Sequence, residues 1–295
     1  MKNREDIAII TVLYNPSSDD LEFVKGISSV YNGVIVDNSS HHNFKDQQIG
    51  KMTYIPLLKN TGIAHAQNVA IKYIVENIQS KYIMFFDQDS RFQDSFPIRM
   101  REEYESIKRN VANLGLLGPV IINKETGDSY KSVFHPDQKS NNGFLPKREI
   151  ISSGNIMELN VLSDVGLMLD SMFIDFVDFE WCWRALKKNY ICGVAEDISL
   201  EHKVGKNTRM ILGYPLMVWA PYRYYYQYRN FLWLIKLSYT PLQWRIATCI
   251  KFIMRILYFP LFISNGTACV KQMIRGIKDA FIGYSEFKKE VMAYE

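Results

Sequence analysis

Cysteine is scarce in this chain and never paired at short range. The four present in 295 residues, Cys182, Cys192, Cys249 and Cys269, include no Cys-x-x-Cys step. That excludes a zinc ribbon or a disulfide framework and fits a reducing cytosol. Long hydrophobic runs are absent as well: no apolar stretch approaches the ~20 residues a membrane-spanning helix needs. Met1 to Asp6 is short and charged ahead of the first apolar run, so no export signal is expected and a cytoplasmic location is. Internal repeats and low-complexity tracts are missing too. The turn Leu13-Tyr14-Asn15-Pro16-Ser17 after that first run is not glycine-rich, so no loop cradling a phosphate is expected there.

What remains is an ordinary globular composition, 47% hydrophobic and 22% charged. Its charge is uneven. From Leu216 onward 11 Lys and Arg face 4 Asp and Glu, a net +7, whereas the first 215 residues carry −3. The basic tail is rich in aromatic and aliphatic residues. Its cations alternate with apolar residues and do not gather in a polar patch, which argues against nucleic acid and leaves an anionic membrane surface as the partner.

Ile7 to Tyr14 is a β-branched strand ending at Asn15-Pro16. Leu21, Val24, Ile27 and Val30 form a helical stripe, and Val34-Ile35-Val36 is a second strand running into Asp37-Asn38-Ser39. Met52 to Leu58 reads as a third strand, Thr61 to Ile78 as a helix and Tyr82 to Phe86 as a buried fourth strand. The order β-α-β-β-α-β predicts an α/β fold with a mainly parallel sheet. A charged helix over 99–110, a strand over 115–123, a loop or loose hairpin over 124–148, a helix over 179–188 and strands over 190–195 and 199–205 follow. The tail holds an aromatic helix over 219–237. After Pro241, Arg245, Thr248, Lys251 and Arg255 recur on one face and Ile246, Cys249, Ile250, Phe252, Ile253, Leu257 and Phe259 fill the other. That pattern predicts a basic amphipathic helix lying at a surface. A second such helix, over 270–283, has Lys271, Arg275 and Lys278 on its polar side.

Three strand ends carry polar groups that a bare scaffold does not need. Thr11, Tyr14 and Asn15 end the first strand, Asp37 and Asn38 the second, and Asp87, Gln88 and Asp89 the fourth. Ligands of open α/β sheets bind outside the carboxyl ends of strands. Alternation on an extended chain turns Asp87 and Asp89 the same way, and two hard oxygens there suit Mg2+ or Mn2+. Asp37-Asn38-Ser39 is equally readable as a turn or helix cap. The helix opening Asn60-Thr61-Gly62, with Asn68 nearly two turns on, offers either an N-terminus for phosphate or a tight helix contact. Asp175, Asp178 and Glu180 lie among aromatic residues, where a raised pKa suits a general base. His202 is a candidate third metal ligand.

In order, Val12-Leu13-Tyr14-Asn15-Pro16, Val36-Asp37-Asn38-Ser39, Asn60-x-Gly62-Ile63-Ala64-x-Ala66-x-Asn68, Asp87-Gln88-Asp89-Ser90, Phe173-Ile174-Asp175-x-Val177-Asp178-x-Glu180-Trp181-x-x-Arg184 and His202-x-x-Gly205 resemble the inverting glycosyltransferases of family 2. The Asp87 and Asp178 motifs and Tyr225-Tyr226-x-x-Arg229-Asn230 look most like the bacterial L-rhamnosyltransferase branch. The resemblance covers roughly residues 7 to 235. It implies a GT-A fold, Rossmann-like with a mostly parallel mixed sheet, over 1–215; the tail's own periodicity adds an amphipathic helical extension over 216–295. It also implies roles for single residues. Asp37 would bind the nucleoside base. Asp87 and Asp89 would hold the metal on the diphosphate, with His202 as a third ligand. Asp178 would be the base, with Glu180 as its rival, and Arg229 would sit near the diphosphate or acceptor. Thr11, Tyr14, Asn15, Asn38, Asn60, Gly62, Asn68 and Gln88 would complete the donor site. One departure is Asp170-Ser171, where relatives often have Asp-Glu.

The implied reaction is metal-dependent transfer of L-rhamnose from dTDP-L-rhamnose to a glycan or lipid-linked glycan at the inner face of a membrane. A UDP-hexose donor, a sugar nucleotidyltransferase and a catalytically idle binding subunit are the alternatives. For the tail, a second copy of the chain competes with the membrane surface as partner.

Overall fold

A computed structural model describes residues 2–123, 143–202, 208–211 and 214–294. In chain order the elements are α1 (Lys2–Glu5), β1 (Ile7–Leu13), α2 (Ser18–Val30), β2 (Asn32–Asp37), β3 (Gln48–Ile49), β4 (Met52–Pro56), α3 (Ile63–Asn77), β5 (Tyr82–Asp87), α4 (Phe96–Lys108), β6 (Leu114–Asn123), β7 (Phe144–Pro146), β8 (Ile156–Glu158) and α5 (Leu159–Val165). A 3₁₀ turn (Asp170–Met172), α6 (Val177–Lys187), β9 (Ile191–His202), β10 (Thr208–Ile211), β11 (Tyr214–Met217), α7 (Pro221–Leu234), α8 (Leu242–Phe262), α9 (Gly266–Ile282) and α10 (Tyr284–Met292) complete the fold.

Nine strands form one mixed sheet in the order β3-β4-β2-β1-β5-β8-β6-β9-β7. β4, β2, β1 and β5 run parallel, so Leu13, Asp37 and Asp87 finish on one rim, with Leu13 opposite Asp37 and Val12 opposite Asp87. β8 pairs antiparallel with both β5 and β6, which makes the second half mixed. Every residue of β1 is buried because helices cover both faces of the sheet. Ala8, Ile10 and Val12 join the core on one side, and Ile7, Ile9 and Leu13 join the core on the other. β9 runs through as one strand where two were expected, with a register slip between its Ala195 and Ser199 pairings.

Helix starts follow local chemistry. Ser17 caps α2 in a capping box with Asp20. The helix expected from Thr61 begins at Ile63, because Gly62 sits at φ 88, outside helical space. A Cβ there would lie 2.5 Å from the Phe173 carbonyl oxygen, so only glycine admits the loop before α6.

The extension packs as part of the main core. Tyr224, Phe231, Trp244, Phe252 and Phe259 share one cluster with sheet residues such as Ile10 and Phe85. Here the division of faces predicted for α8 is corrected. Thr248 and Arg255 point inward with Trp244, Phe252 and Phe259, while Ile246, Ile250, Ile253 and Leu257 are exposed. Arg255 is tolerated inside because its Nη1 donates to Gln227 Oε1 at 3.0 Å and its guanidinium lies over the rings of Tyr224 and Phe252. A helix with two opposed stripes does not declare in its sequence which one its neighbours will take. α9 matches expectation, with Lys271, Arg275 and Lys278 exposed.

Candidate active site

Most of the residues predicted for the donor gather on the rim made by β1, β2 and β5. Gln88 locks the first strand end to the fourth: Tyr14 N donates to its Oε1 at 2.7 Å and its Nε2 donates to Tyr14 O at 3.2 Å. Asn15, at φ 46, donates its N–H to Ser39 Oγ at 2.8 Å. Thr11 is buried within β1, two residues short of the rim. Asn38 Oδ1 accepts from Thr61 N and Oγ1, and its Nδ2 donates to Asn60 Oδ1, which also takes the Gly62 N–H. Thr11 apart, the predicted residues from Tyr14 to Gly62, with Gln88, are thus tied in local groups along the rim: Tyr14 with Gln88, Asn15 with Ser39, and Asn38 with Asn60, Thr61 and Gly62.

Asp37 is fully buried. Its Oδ2 accepts from Tyr54 OH at 2.6 Å and from Asn43 N and Nδ2 at 3.3 and 2.7 Å, while its Oδ1 accepts from Ser39 N at 3.0 Å. Burial alone would raise its pKa. The hydrogen bonds from Tyr54, Ser39 and Asn43 outweigh that and hold it below the usual carboxylate range. Both oxygens are therefore engaged, Oδ2 by Tyr54 and Asn43 and Oδ1 by Ser39.

Past β5 the chain turns back at once, with Ser90 N donating to Asp87 O at 3.0 Å. Arg91 braces the turn by donating to Gln88 O and Ser90 O and pairing with Asp20 at 2.6 Å. Asp87 is half-buried and Asp89 exposed. Among the described residues no three His, Cys, Asp or Glu side chains stand together as a metal cage. His202 ends β9 opposite Asn123, and its side chain and Gly205 lie outside the described residues. Two carboxylates at an open rim fit a hard cation whose other ligands are diphosphate and water oxygens.

Asp178 stands on the first turn of α6, near enough to Asp87 for that charge to act on it. It accepts from Phe179 N at 3.0 Å and from Ser152 N at 3.3 Å. Burial, with the Asp87 charge adding to it, pushes its pKa up to about 7 against the pull of the Phe179 N–H. Glu180 is different. It is fully buried, takes Arg184 Nε and Nη2 at 2.9 and 3.0 Å, and accepts from Tyr239 OH at 2.6 Å. The helix begins at Val177, so two residues rotate Glu180 from the rim into the core.

The segment before α6 is strained. Phe173, Asp175 and Phe176 hold φ of 64, 69 and 66, a region costly for side chains with a Cβ. Asn230, fully buried, pins it by donating Nδ2 to the carbonyls of Met172, Ile174 and Asp175 at 2.9, 2.9 and 3.1 Å. Arg223 pairs with Asp175 at 2.5 Å. The N–H of Ile63 reaches Phe173 O at 2.7 Å, so a main-chain carbonyl occupies the helix N-terminus considered for phosphate. Asn68 likewise turns away from the rim, bonding Met168 and Asp170. Arg229 spends its Nη2 on Ser171 O and Met172 O, among the rings of Tyr225, Tyr226 and Trp233. Glu290 of α10 accepts the N–H groups of Asp170 and Ser171. Sequence reasoning missed Asn230, Arg223 and Glu290 as loop anchors. The Arg229-Asn230 motif was a signal for one of them, and nothing marked Glu290.

No protein-family model matches the chain. Over 254 residues it is 32% identical to the dTDP-rhamnosyl transferase RfbF of Shigella flexneri, covering 80% of this chain and 82% of that one. The hexosyltransferase Agl10 of low-salt glycan biosynthesis in Haloferax volcanii is 23% identical over 213 residues, 67% of each chain. Among solved structures, S. aureus TarS in complex with UDP-GlcNAc superposes with a TM-score of 0.51 at 15% identity, covering 93% of this chain and 80% of that one. That last likeness concerns the fold alone.

Proposed function

The chain belongs to the family 2 glycosyltransferases of GT-A fold, and from that premise we propose that it moves L-rhamnose from dTDP-L-rhamnose, with inversion and with Mg2+ or Mn2+, to a hydroxyl of a lipid-carried bacterial surface glycan. The donor is supported by the identity to a dTDP-rhamnosyl transferase. The chemistry rests on one observation: Asp178, raised to about 7, feels the charge of Asp87 at the metal-suited rim. That is a base able to take a proton near neutral pH, close to one of the two acids suited to a diphosphate's cation.

In this reading Asp37 lies at the nucleobase and orders Ser39, Asn43 and Tyr54 around it, and the strand-end groups Asn38, Asn60 and Gly62 shape the nucleoside pocket. The acceptor oxygen bonds to the anomeric carbon as its proton passes to an Asp178 carboxylate oxygen. The bond from that carbon to the diphosphate breaks, and its electron pair leaves on the diphosphate. Asp87 and Asp89 would hold a divalent cation, and the chemistry it would supply there is neutralisation of charge on the leaving group. Glu180 holds α6 in place through Arg184.

A donor panel tests this. Purified protein with Mg2+ or Mn2+ should release nucleoside diphosphate faster from dTDP-L-rhamnose than from UDP-glucose or UDP-N-acetylglucosamine, and excess chelator should stop it. A better kcat/KM with a UDP-hexose replaces the rhamnosyl donor and keeps the glycosyl transfer. Product with the donor's own anomeric configuration rejects inversion and Asp178 as base.

A further inference from the structure

A helix at a protein surface ordinarily hides its apolar stripe, and α8 does the reverse. Leu242, Ile246, Ile250, Ile253, Leu257 and Leu261 follow one another at three- and four-residue steps, each more than half exposed. Met254 and Phe262 widen the stripe at 52% and 50% exposure. It runs the length of a 21-residue helix, about 30 Å. This is not a misplaced core face, because Trp244, Phe252 and Phe259 on the opposite side are buried against α7 and its neighbours. α9, packed beside α8, exposes Phe281 and Ile282 together with Lys271, Arg275 and Lys278. Apart from the buried Arg255, five Lys and Arg lie between Leu242 and Ile282 against the single acid Asp279, which is engaged by Tyr225 and Arg275.

We propose that this face of α8 and α9 is the surface by which the protein lies on an anionic bilayer, with α8 parallel to the membrane plane. An exposed apolar patch this long needs a cover. A line of aliphatic side chains beside exposed cations suits the boundary between acyl chains and anionic headgroups. Charge decides between the two covers. A second copy would bring a like-charged face against this one, whereas anionic lipid complements it. No described helix is long and apolar enough to cross a membrane, which fits a helix lying on one. The inference rests on the proposed lipid-carried acceptor for its purpose only, since the exposed stripe stands without it.

Flotation of the full chain with vesicles tests the surface, and donor hydrolysis in vesicle-free solution is measured beside it. Wild-type protein should float with phosphatidylglycerol-containing vesicles, and at least tenfold less with pure phosphatidylcholine or in high salt. Ile250→Glu with Leu257→Glu, and separately Lys271→Glu with Arg275→Glu, should each reduce binding at least tenfold. Hydrolysis and thermal midpoint should hold, because all four side chains are exposed. Two results overturn the proposal. One is failure of the wild type to float with anionic vesicles. The other is a sedimenting dimer that Ile250→Glu with Leu257→Glu dissociates, which assigns the face to a second copy. Loss of hydrolysis with flotation intact would instead count against the proposed catalysis.

Discussion

On the donor side, Asp37 and Asp87 are the last residues of strands, and the ladder bonds of a parallel sheet set where they stand. On the side proposed for the acceptor, Asp178 follows a segment with three non-glycine residues in left-handed space, held by Asn230, Arg223 and the first N–H of α3. The first side gets its geometry from regular structure. The second gets it from long-range ties that must outweigh about 1–3 kcal/mol for each strained residue. Donor-side groups should therefore fail one at a time and locally, whereas acceptor-side geometry should fail wherever a tie is cut.

The largest effect is expected at the rim. Asp89→Ala should abolish turnover and metal-dependent donor binding while the thermal midpoint stays put, since the side chain is exposed. Titrating donor with and without Mg2+ or Mn2+ checks it, and full activity would remove the metal from the reaction. Next, Asp178→Asn should lower kcat by at least ~100-fold with donor affinity little changed.

The same substitution carries a sign that sharpens the comparison. The folded pKa of Asp178 lies near 7, above the ordinary 3.8. Its charge therefore opposes folding increasingly as pH rises through that window. Asp178→Asn should leave stability unchanged near pH 3 and raise it above pH 7 by up to about 4 kcal/mol, a ceiling that solvent at a half-buried carboxyl lowers. Thermal melts of both proteins from pH 3 to 8 measure it. The wild-type kcat should fall below pH 7 for the same reason.

Asn230→Ala tests the strained side directly. It frees three carbonyls without touching substrate, so kcat should drop roughly tenfold while donor affinity holds, and the acidic midpoint of the rate profile should move from near 7 as Asp178 shifts. A purely structural role would lower the melting point alone. The smallest effect on chemistry is expected for Glu180→Gln. It leaves Arg184 buried without its partner and should cost about 3–5 kcal/mol of stability, yet the folded fraction should keep kcat within about threefold. If Glu180→Gln slows kcat more than Asp178→Asn, the base is Glu180.

Legibility followed the same divide. The strands, the paired acids after β5, Asp37 after β2 and both tail helices could be read from short-range patterns. The start of α3 was misjudged by two residues, because Gly62 is shaped by Phe173, 111 positions away. Asp178 and Glu180 were equivalent on an extended chain, and the register of α6 parted them. Arg229 looked like a substrate contact and is taken up by main-chain carbonyls.

The sequence by itself determined the alternation of buried strands with helices, the acids at their ends and the basic bias of the tail, because strand burial, turn chemistry and net charge are properties of neighbouring residues. Only the tertiary structure decided which acid is open to a substrate, that the loop before α6 is held in left-handed space, and that α8 turns its aliphatic stripe outward with Arg255 inside. Each depends on what a residue far along the chain offers: Tyr239 for Glu180, Asn230 for the loop, Gln227 for Arg255. A local pattern shows that a helix has two faces, and the free energy of burial against its neighbours picks the one that turns in.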